Sequence, residues 1–236
     1  MNNSDGFINV SLSRENIDRY YHRTSILNAI EENLPFLYGR LLDAGCGKMP
    51  YRDYILNHSR VKQYVGLDIE TALDYSGTIA PDVTWDGKTM PFDSESFDCA
   101  FATEVLEHVP EPIIYLKELY RVLKPGSTFF FTVPFLWPLH ETPHDEYRYT
   151  PYALERILRE AGFSEVAIEP LGGWHASMAQ MLGLWWKRSG FSHRKRAVLK
   201  YFLLPVYRQL IKMDRREIGE GKMITGIAGT AQKNSN

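Results

Sequence analysis

The chain has 236 residues, of which 44% are hydrophobic and 24% charged, and its formal net charge is −2. These values predict a single large α/β domain over residues 1–236, with a sizeable core. Two cysteines exclude a disulfide framework, and no apolar run approaches the 18 or so residues of a membrane-spanning helix. The N-terminus has neither a basic start nor an apolar core of signal-peptide type, so we expect a cytoplasmic protein.

The first segment, residues 1–39, is predicted to be helical. Within it, Ser13 to Leu34 has the pattern of one or two amphipathic helices that precede the first strand. Tyr20, Tyr21 and His22 give this segment an aromatic and polar surface.

A glycine-containing turn follows the first predicted strand. The strand, residues 40–44, runs into Gly45-Cys46-Gly47, where glycine permits a sharp turn and leaves backbone N–H groups open to a ligand. A second apolar strand ends at Asp68, about 20 residues further on, where a carboxylate can accept hydrogen bonds from two ribose hydroxyls. The two features together predict a nucleoside cofactor site.

Two cofactor classes fit such a site: a nicotinamide or flavin dinucleotide, and S-adenosylmethionine. The dinucleotide pattern needs a third glycine beneath the pyrophosphate, and Pro50 stands at that position. Asp43, just before the turn, would repel a phosphate but suits the cationic methionyl end of S-adenosylmethionine. The sequence therefore favours S-adenosylmethionine.

Three motifs in order resemble those of the class I S-adenosylmethionine-dependent methyltransferases, in particular the small-molecule group related to ubiquinone and menaquinone methylases. They are residues 43–47, residues 66–70 and residues 86–98, and the resemblance covers roughly residues 40–170. It implies that Asp86 and Gly87 border the adenine, Asp68 the ribose, and residues 43–47 the methionine portion. The implied cofactor-binding residues are Asp43, Ala44, Gly45, Cys46, Gly47, Asp68, Ile69, Asp86, Gly87, Thr103 and Glu104.

The alternation of predicted strands and helices indicates a Rossmann-like, seven-stranded, mostly parallel sheet with helices on both faces. The resemblance implies that the last strand is antiparallel. Strands are predicted near residues 40–44, 64–68, 82–85, 97–102, 128–133, 164–169 and 223–231. Helices are predicted over Pro112 to Val122 and from Thr150-Pro151 to Gly162.

The loop at residues 134–149 is dense in ionisable and aromatic groups and follows the fifth strand, where open α/β sheets bind ligands. It resembles the P-H-D-x-x-R-(Y/F)-T segment of methyltransferases in surface-polysaccharide pathways. We predict His140 and His144 as candidate bases, with Asp145 orienting them. The predicted substrate-binding residues are Tyr147, Arg148 and Tyr21. An equal alternative is that Arg148 only holds the loop together, and His108 is expected to be structural.

The same loop contains a formal His-Glu-x-x-His match at His140 and His144. A zinc site of that type needs an intact helix, which Pro143 disfavours at Thr142. A divalent ion held by His140, His144 and Asp145 beside the acceptor is equally disfavoured, and we predict no metal site.

The third segment, residues 171–222, is predicted to be a basic helical insertion before the last strand. Residues 187–216 contain ten Lys or Arg and one acid. Leu199, Leu203, Val206 and Leu210 recur there at helical spacing, and Trp185 and Trp186 precede them. The pattern is typical of either a solvated capping helix or, over residues 185–216, a peripheral membrane contact. No nucleic-acid module is visible, so we expect no nucleic-acid partner.

The sequence and the resemblance together predict an S-adenosylmethionine-dependent methyltransferase. The expected acceptor is a small molecule, a glycan or a lipid-linked compound, methylated at oxygen. Two alternatives remain open: a quinone-type C-methyltransferase, and a non-catalytic adenosylmethionine-binding protein of the same fold.

Overall fold

A computed structural model describes residues 6–8, 10–13, 15–69 and 80–235, apart from the side chains of residues 193, 195, 197 and 200. Glu70, in the second motif, lies outside the described residues. Seven strands are described: β1 Tyr38–Ala44, β2 Arg60–Ile69, β3 Val83–Trp85, β4 Phe97–Thr103, β5 Leu123–Pro134, β6 Ser164–Pro170 and β7 Gly226–Gln232. Six α-helices accompany them: α1 Tyr20–Asn33, α2 Arg52–His58, α3 Pro112–Val122, α4 Pro151–Glu160, α5 Trp174–Arg188 and α6 His193–Met213.

The strands form one sheet in the order β3-β2-β1-β4-β5-β7-β6. β1 pairs in parallel with β2 and β4, and β4 with β5, whereas β7 runs antiparallel to both β5 and β6. The predicted Rossmann-like sheet with an antiparallel last strand is confirmed. Because β1 to β5 are parallel, their carboxyl ends meet at one edge, which we call the carboxyl edge.

Alternate residues of β1 pack into different layers, as expected for a strand covered on both faces. Leu42 belongs to a core cluster that includes α3 and α4, whereas Leu41 packs with Ile26 of α1 and Ile55 of α2. β2 and β5 begin four to five residues earlier than predicted, because Tyr38 pairs with Arg60 and Phe97 with Leu123. Helix α2 was not predicted.

The α5 and α6 helices pack against each other and against α1. Leu199, Leu203 and Leu210 of α6 contact a buried cluster that contains Tyr21 and Tyr207. Most of the apolar stripe that the sequence suggested for a membrane surface therefore faces the protein. None of the described helices is long and apolar enough to cross a bilayer.

Candidate active site

The glycine turn lies at the carboxyl edge, tightly against the neighbouring strands. The N–H groups of Gly45 and Cys46 both donate to the Leu67 carbonyl, at 2.8 and 3.0 Å. Gly45 has φ +96°, and a Cβ there would lie 2.4 Å from Cγ1 of Val105. Only glycine fits this position without displacing Val105.

Asp68 lies directly beside this turn. Its Oδ2 accepts a 2.8 Å hydrogen bond from the Gly47 N–H, and its Oδ1 accepts one of 2.8 Å from the Ile69 N–H. Burial raises the pKa of Asp68, and the charge of Glu141 raises it further. The turn, the end of β2 and the 134–149 loop therefore share one electrostatic environment.

Asp43 supports the turn from inside the protein. Its side chain is buried and accepts a hydrogen bond from the Tyr64 hydroxyl, while Tyr115 donates to the Ala44 carbonyl at 2.8 Å. Burial raises the pKa of Asp43 to about 7, although the Tyr64 hydrogen bond opposes this shift. Asp43 thus lies next to the predicted cofactor site with its carboxylate engaged by Tyr64.

Asp86 and Gly87, which were predicted to border the adenine, follow the end of β3 and lie beside Ile69 at the end of β2. Ile69 is 40% exposed, unusual for an isoleucine at a strand end, and a Cβ on Gly87 would lie 4.0 Å from its Cγ2. Asp86 accepts from the N–H groups of Lys88 and Thr89, at 2.9 and 3.0 Å, and these bonds lower its pKa. Ile69 and Gly87 form an exposed apolar corner, and Asp86 closes the turn beside it.

Thr103 ends β4, and Glu104 follows it with the rare φ of +56°. Glu104 accepts a 2.9 Å hydrogen bond from Thr132 and pairs at 3.0 Å with Nε2 of His22. Burial opposes ionisation of Glu104, but His22 and Thr132 outweigh it, and the pKa is lowered. The predicted cofactor residue Glu104 is therefore engaged by α1.

The α1 helix covers this part of the carboxyl edge through His22. Tyr21, which was predicted to bind the substrate, does not take part. The His22 ring stacks on Trp137 with centroids 4.3 Å apart, and the Arg188 guanidinium lies 5.3 Å from the Trp137 ring centre. Tyr21 instead donates to the Leu171 carbonyl at 2.9 Å and to Asp214 at 3.3 Å. Neighbouring residues on one helix turn project in different directions, and nothing in the sequence spacing singled out His22.

In the 134–149 loop, Asp145 is the central group. Arg148 donates to both its oxygens, at 2.6 and 2.8 Å, and holds the pKa of Asp145 at about 2. Nδ1 of His140 lies 3.3 Å from Asp145 Oδ2, and the His140 N–H donates to the same oxygen. Arg148 therefore fixes the loop internally, in agreement with the alternative stated for it. Tyr147 stacks on Tyr149 and donates to the Pro110 carbonyl.

The His144 side chain is exposed and outside this group, and its carbonyl contacts Nδ1 of His108 at 2.9 Å. Residues 137–150 contain no helix. The intact helix that a zinc site of that type needs is therefore absent from this loop.

Glu107 and His108, in a short 3₁₀ helix after β4, complete the site and were not predicted as functional. Oε1 of Glu107 lies 3.7 Å from Nε2 of His108 and 4.0 Å from Nε2 of His140. Burial and the charge of Glu104 raise the pKa of Glu107 well above its usual range. An acid–histidine pair directly after a strand at the carboxyl edge was the signal that could have identified them.

Comparison with known proteins agrees with this geometry. Residues 42–131 match the family model described as "Methyltransferase domain". Cycloartenol-C-24-methyltransferase 1 of Oryza sativa subsp. japonica is 32% identical over 126 residues, which are 49% of this chain and 35% of that protein. Ubiquinone biosynthesis O-methyltransferase of Coxiella burnetii (strain Dugway 5J108-111) is 26% identical over 112 residues, 45% of this chain and 48% of that protein. The chain spans a third to a half of the length of these relatives.

Among solved structures, the fold is similar to phosphoethanolamine N-methyltransferase 2 of Haemonchus contortus, in complex with phosphomonomethylethanolamine and S-adenosylhomocysteine. The TM-score is 0.55 at 16% identity, over 100% of this chain and 61% of that one. This similarity shows a shared fold. The family match identifies residues 42–131 as a methyltransferase domain, and the turn from Gly45 to Asp68 is where such a domain would hold S-adenosylmethionine.

Proposed function

We propose that this chain transfers a methyl group from S-adenosylmethionine to an oxygen of a small-molecule, glycan or lipid-linked acceptor. The observation that carries the proposal is the carboxyl edge, where the glycine turn packs against Val105 and the charge of Glu141, next to His140, acts on Asp68. The cofactor, when bound, supplies a methyl group attached to a positively charged sulfur. The Asp68 carboxylate and the turn of residues 45–47 would border it. Contrary to the expectation from sequence, the three N–H groups of the turn already donate to Leu67 and Asp68.

The protein's main task in such a transfer is alignment, since holding two reactants in line can supply about 7 to 11 kcal/mol. An O–CH₃ bond forms while the S–CH₃ bond breaks, with its electron pair left on sulfur. The acceptor's hydroxyl proton goes to Nε2 of His140, whose Nδ1 faces Asp145 at 3.3 Å. Asp145 would keep the His140 ring in the orientation that this step needs.

Replacing His140 with glutamine is expected to lower kcat about 10²- to 10⁴-fold with little change in S-adenosylmethionine affinity, because a general base contributes that much. The measurement is transfer of labelled methyl to an acceptor found by screening nucleotide-linked and lipid-linked sugars. His58→Gln is the matched control, since His58 is exposed on α2. Unchanged kcat in His140→Gln would remove His140 from the mechanism.

The acceptor class is supported by two kinds of similarity. The two relatives described above are named for cycloartenol and for ubiquinone biosynthesis. Residues 143–150 resemble a segment of surface-polysaccharide methyltransferases. A lipid-linked sugar has both an apolar lipid part and a sugar part, so it fits both kinds of similarity. A methyl group on a ring carbon of the product would favour the quinone-type alternative. Cofactor binding without turnover on any acceptor would favour a binding protein.

We further propose that α6 contacts an anionic membrane surface, where a lipid-linked acceptor would be found. Val198, Tyr201, Phe202 and Val206 recur at helical spacing and are 62%, 71%, 69% and 48% exposed. They form an outward apolar face, distinct from the stripe that packs inside. Ten Lys or Arg within residues 187–216 give the surrounding segment the charge that attracts anionic lipids.

This membrane proposal predicts co-sedimentation with phosphatidylglycerol vesicles at low salt and much weaker binding to neutral phosphatidylcholine vesicles. Changing both Tyr201 and Phe202 to serine is expected to reduce binding about tenfold or more, because about 1.5 to 3 kcal/mol accompanies burial of each large apolar side chain. Tyr152→Ser on α4, 67% exposed, is the matched control. Equal binding by the double variant and the wild type would contradict the proposed face.

A further inference from the structure

Glu107 is a buried acid without the partners that burial normally demands. Its side chain is 0% exposed, and neither carboxylate oxygen has a hydrogen-bond partner among the described residues. Leaving a buried polar group unpaired costs about 1 to 3 kcal/mol, and more for a charged one. Such groups in proteins are normally paired, or they bind a metal ion.

Two imidazole nitrogens face the Glu107 carboxylate. Nε2 of His108 and Nε2 of His140 lie 3.7 and 4.0 Å from Oε1, and the three ligand atoms all lie within 4.8 Å of one another. Atoms bound to one ion at about 2.1 Å lie about 3.0 to 3.4 Å apart. Contractions of up to about 1.8 Å between the ligand atoms would bring all three into one coordination sphere.

The opposite nitrogens of both rings are already oriented. Nδ1 of His108 lies 2.9 Å from the His144 carbonyl, and Nδ1 of His140 lies 3.3 Å from Asp145. In metal sites, histidine ligands almost always donate their second N–H to a carbonyl or carboxylate. The His108 contact has this form, whereas Nδ1 of His140 lies near Asp145 without a hydrogen bond to it. Both Nε2 atoms face Glu107, and a neutral ring with its proton on Nδ1 would present the Nε2 lone pair there.

We propose that Glu107, His108 and His140 bind a divalent transition-metal ion through one carboxylate oxygen and two Nε2 atoms. Two imidazoles with one carboxylate suit Zn²⁺, Mn²⁺ or Fe²⁺ better than Ca²⁺ or Mg²⁺, which prefer oxygen ligands. This ligand set replaces the expectation of no metal site. Only His140 belongs to both this set and the His-Glu-x-x-His match.

The role of the ion rests on the proposed function. Val105, two residues before Glu107, packs against Gly45, and Glu141, next to His140, lies close enough to raise the pKa of Asp68. The metal ligands and the cofactor turn thus belong to one site. The ion would bind acceptors with oxygen donors and lower the pKa of a hydroxyl, so that solvent takes the proton. With the ion bound, Nε2 of His140 is a ligand, so the proton transfer to His140 described above belongs to the metal-free protein.

The test is calorimetric titration of the chelator-treated protein with Zn²⁺ and Mn²⁺, and visible absorption spectra with Co²⁺. We expect one ion per chain. Affinity should fall more than about 100-fold in His140→Ala and Glu107→Gln, and about 10- to 100-fold in Asp145→Asn, which removes only an orienting group. His144→Ala, in the same loop with an exposed side chain, should bind as the wild type does.

Absence of binding by all three ions, or binding that survives both His140→Ala and Glu107→Gln, would overturn the site. S-adenosylmethionine titration of the same samples separates this result from the proposed function. Cofactor binding without metal binding rejects only the metal site, and metal binding without cofactor binding rejects only the proposed transfer. Thermal unfolding with and without Zn²⁺ checks that the variants fold, since a bound ion raises the Tm of the wild type alone.

Discussion

Replacing Asp68 with alanine is expected to weaken S-adenosylmethionine binding about 100-fold. The Asp68 carboxylate accepts from the Gly47 and Ile69 N–H groups, and two ribose hydroxyls are proposed to donate to it as well. A hydrogen bond to a charged group contributes about 1.5 to 3 kcal/mol, and every 1.4 kcal/mol is tenfold in affinity. Calorimetric titration of the purified variant measures the effect.

Two further variants make this result specific. Asp68→Asn keeps one acceptor oxygen and should bind S-adenosylmethionine with intermediate affinity. Asp53→Ala removes an exposed carboxylate in the first turn of α2 and should leave the affinity unchanged. Wild-type affinity in Asp68→Ala, in a variant that unfolds at the normal temperature, would mean that this carboxylate does not hold the ribose.

Asp43 is expected to make the free energy of unfolding fall as the pH rises from about 4 to about 7. Its pKa in the folded protein is about 7 because it is buried. Its pKa in an unfolded chain is about 3.9, so between these values the folded state holds a proton that the unfolded state has lost. The loss is about 1.4 kcal/mol per pH unit, or about 4 kcal/mol in total, and stops above pH 7.

The matched comparison is Asp43→Asn, which keeps an acceptor for the Tyr64 hydroxyl but cannot ionise. Denaturant unfolding at several pH values between 4 and 8 should give a difference between the two proteins that grows with pH in favour of the variant. Asp53→Asn should follow the wild type throughout. Parallel curves for wild type and Asp43→Asn would show that Asp43 ionises as readily in the folded protein as in the unfolded one.

The strands of the sheet could be predicted from the sequence because each strand is encoded by a short run of neighbouring residues. Apolar runs of strand length mark β1 and β4, and Gly45 marks a turn that no other residue could adopt beside Val105. The antiparallel β7 came from the family resemblance, since pairing direction has no local pattern. Helix α2 was missed because its seven residues give too short a pattern.

The acceptor side of the site depends on contacts between distant parts of the chain. His22 reaches Glu104, and Glu107 and His108 meet His140, across separations that no spacing rule covers. The Arg148 side chain could be assigned neither to the substrate nor to the loop until its bonds to Asp145 were seen.

The α6 helix shows a different limit. Helical periodicity identifies an apolar stripe, but it does not say what covers that stripe. Leu199 and Leu203 pack against the protein, and a second apolar face at Tyr201 and Phe202 is exposed instead.

The most direct test of the central claim is titration of the wild-type protein with S-adenosylmethionine and, separately, with NAD. Pro50 in place of a third glycine and Asp43 just before the turn both favour the first ligand. We predict saturable binding of S-adenosylmethionine with one site per chain and no binding of NAD. Binding of NAD alone, or of neither ligand, would contradict the assignment of the glycine turn on which the proposed methyl transfer depends.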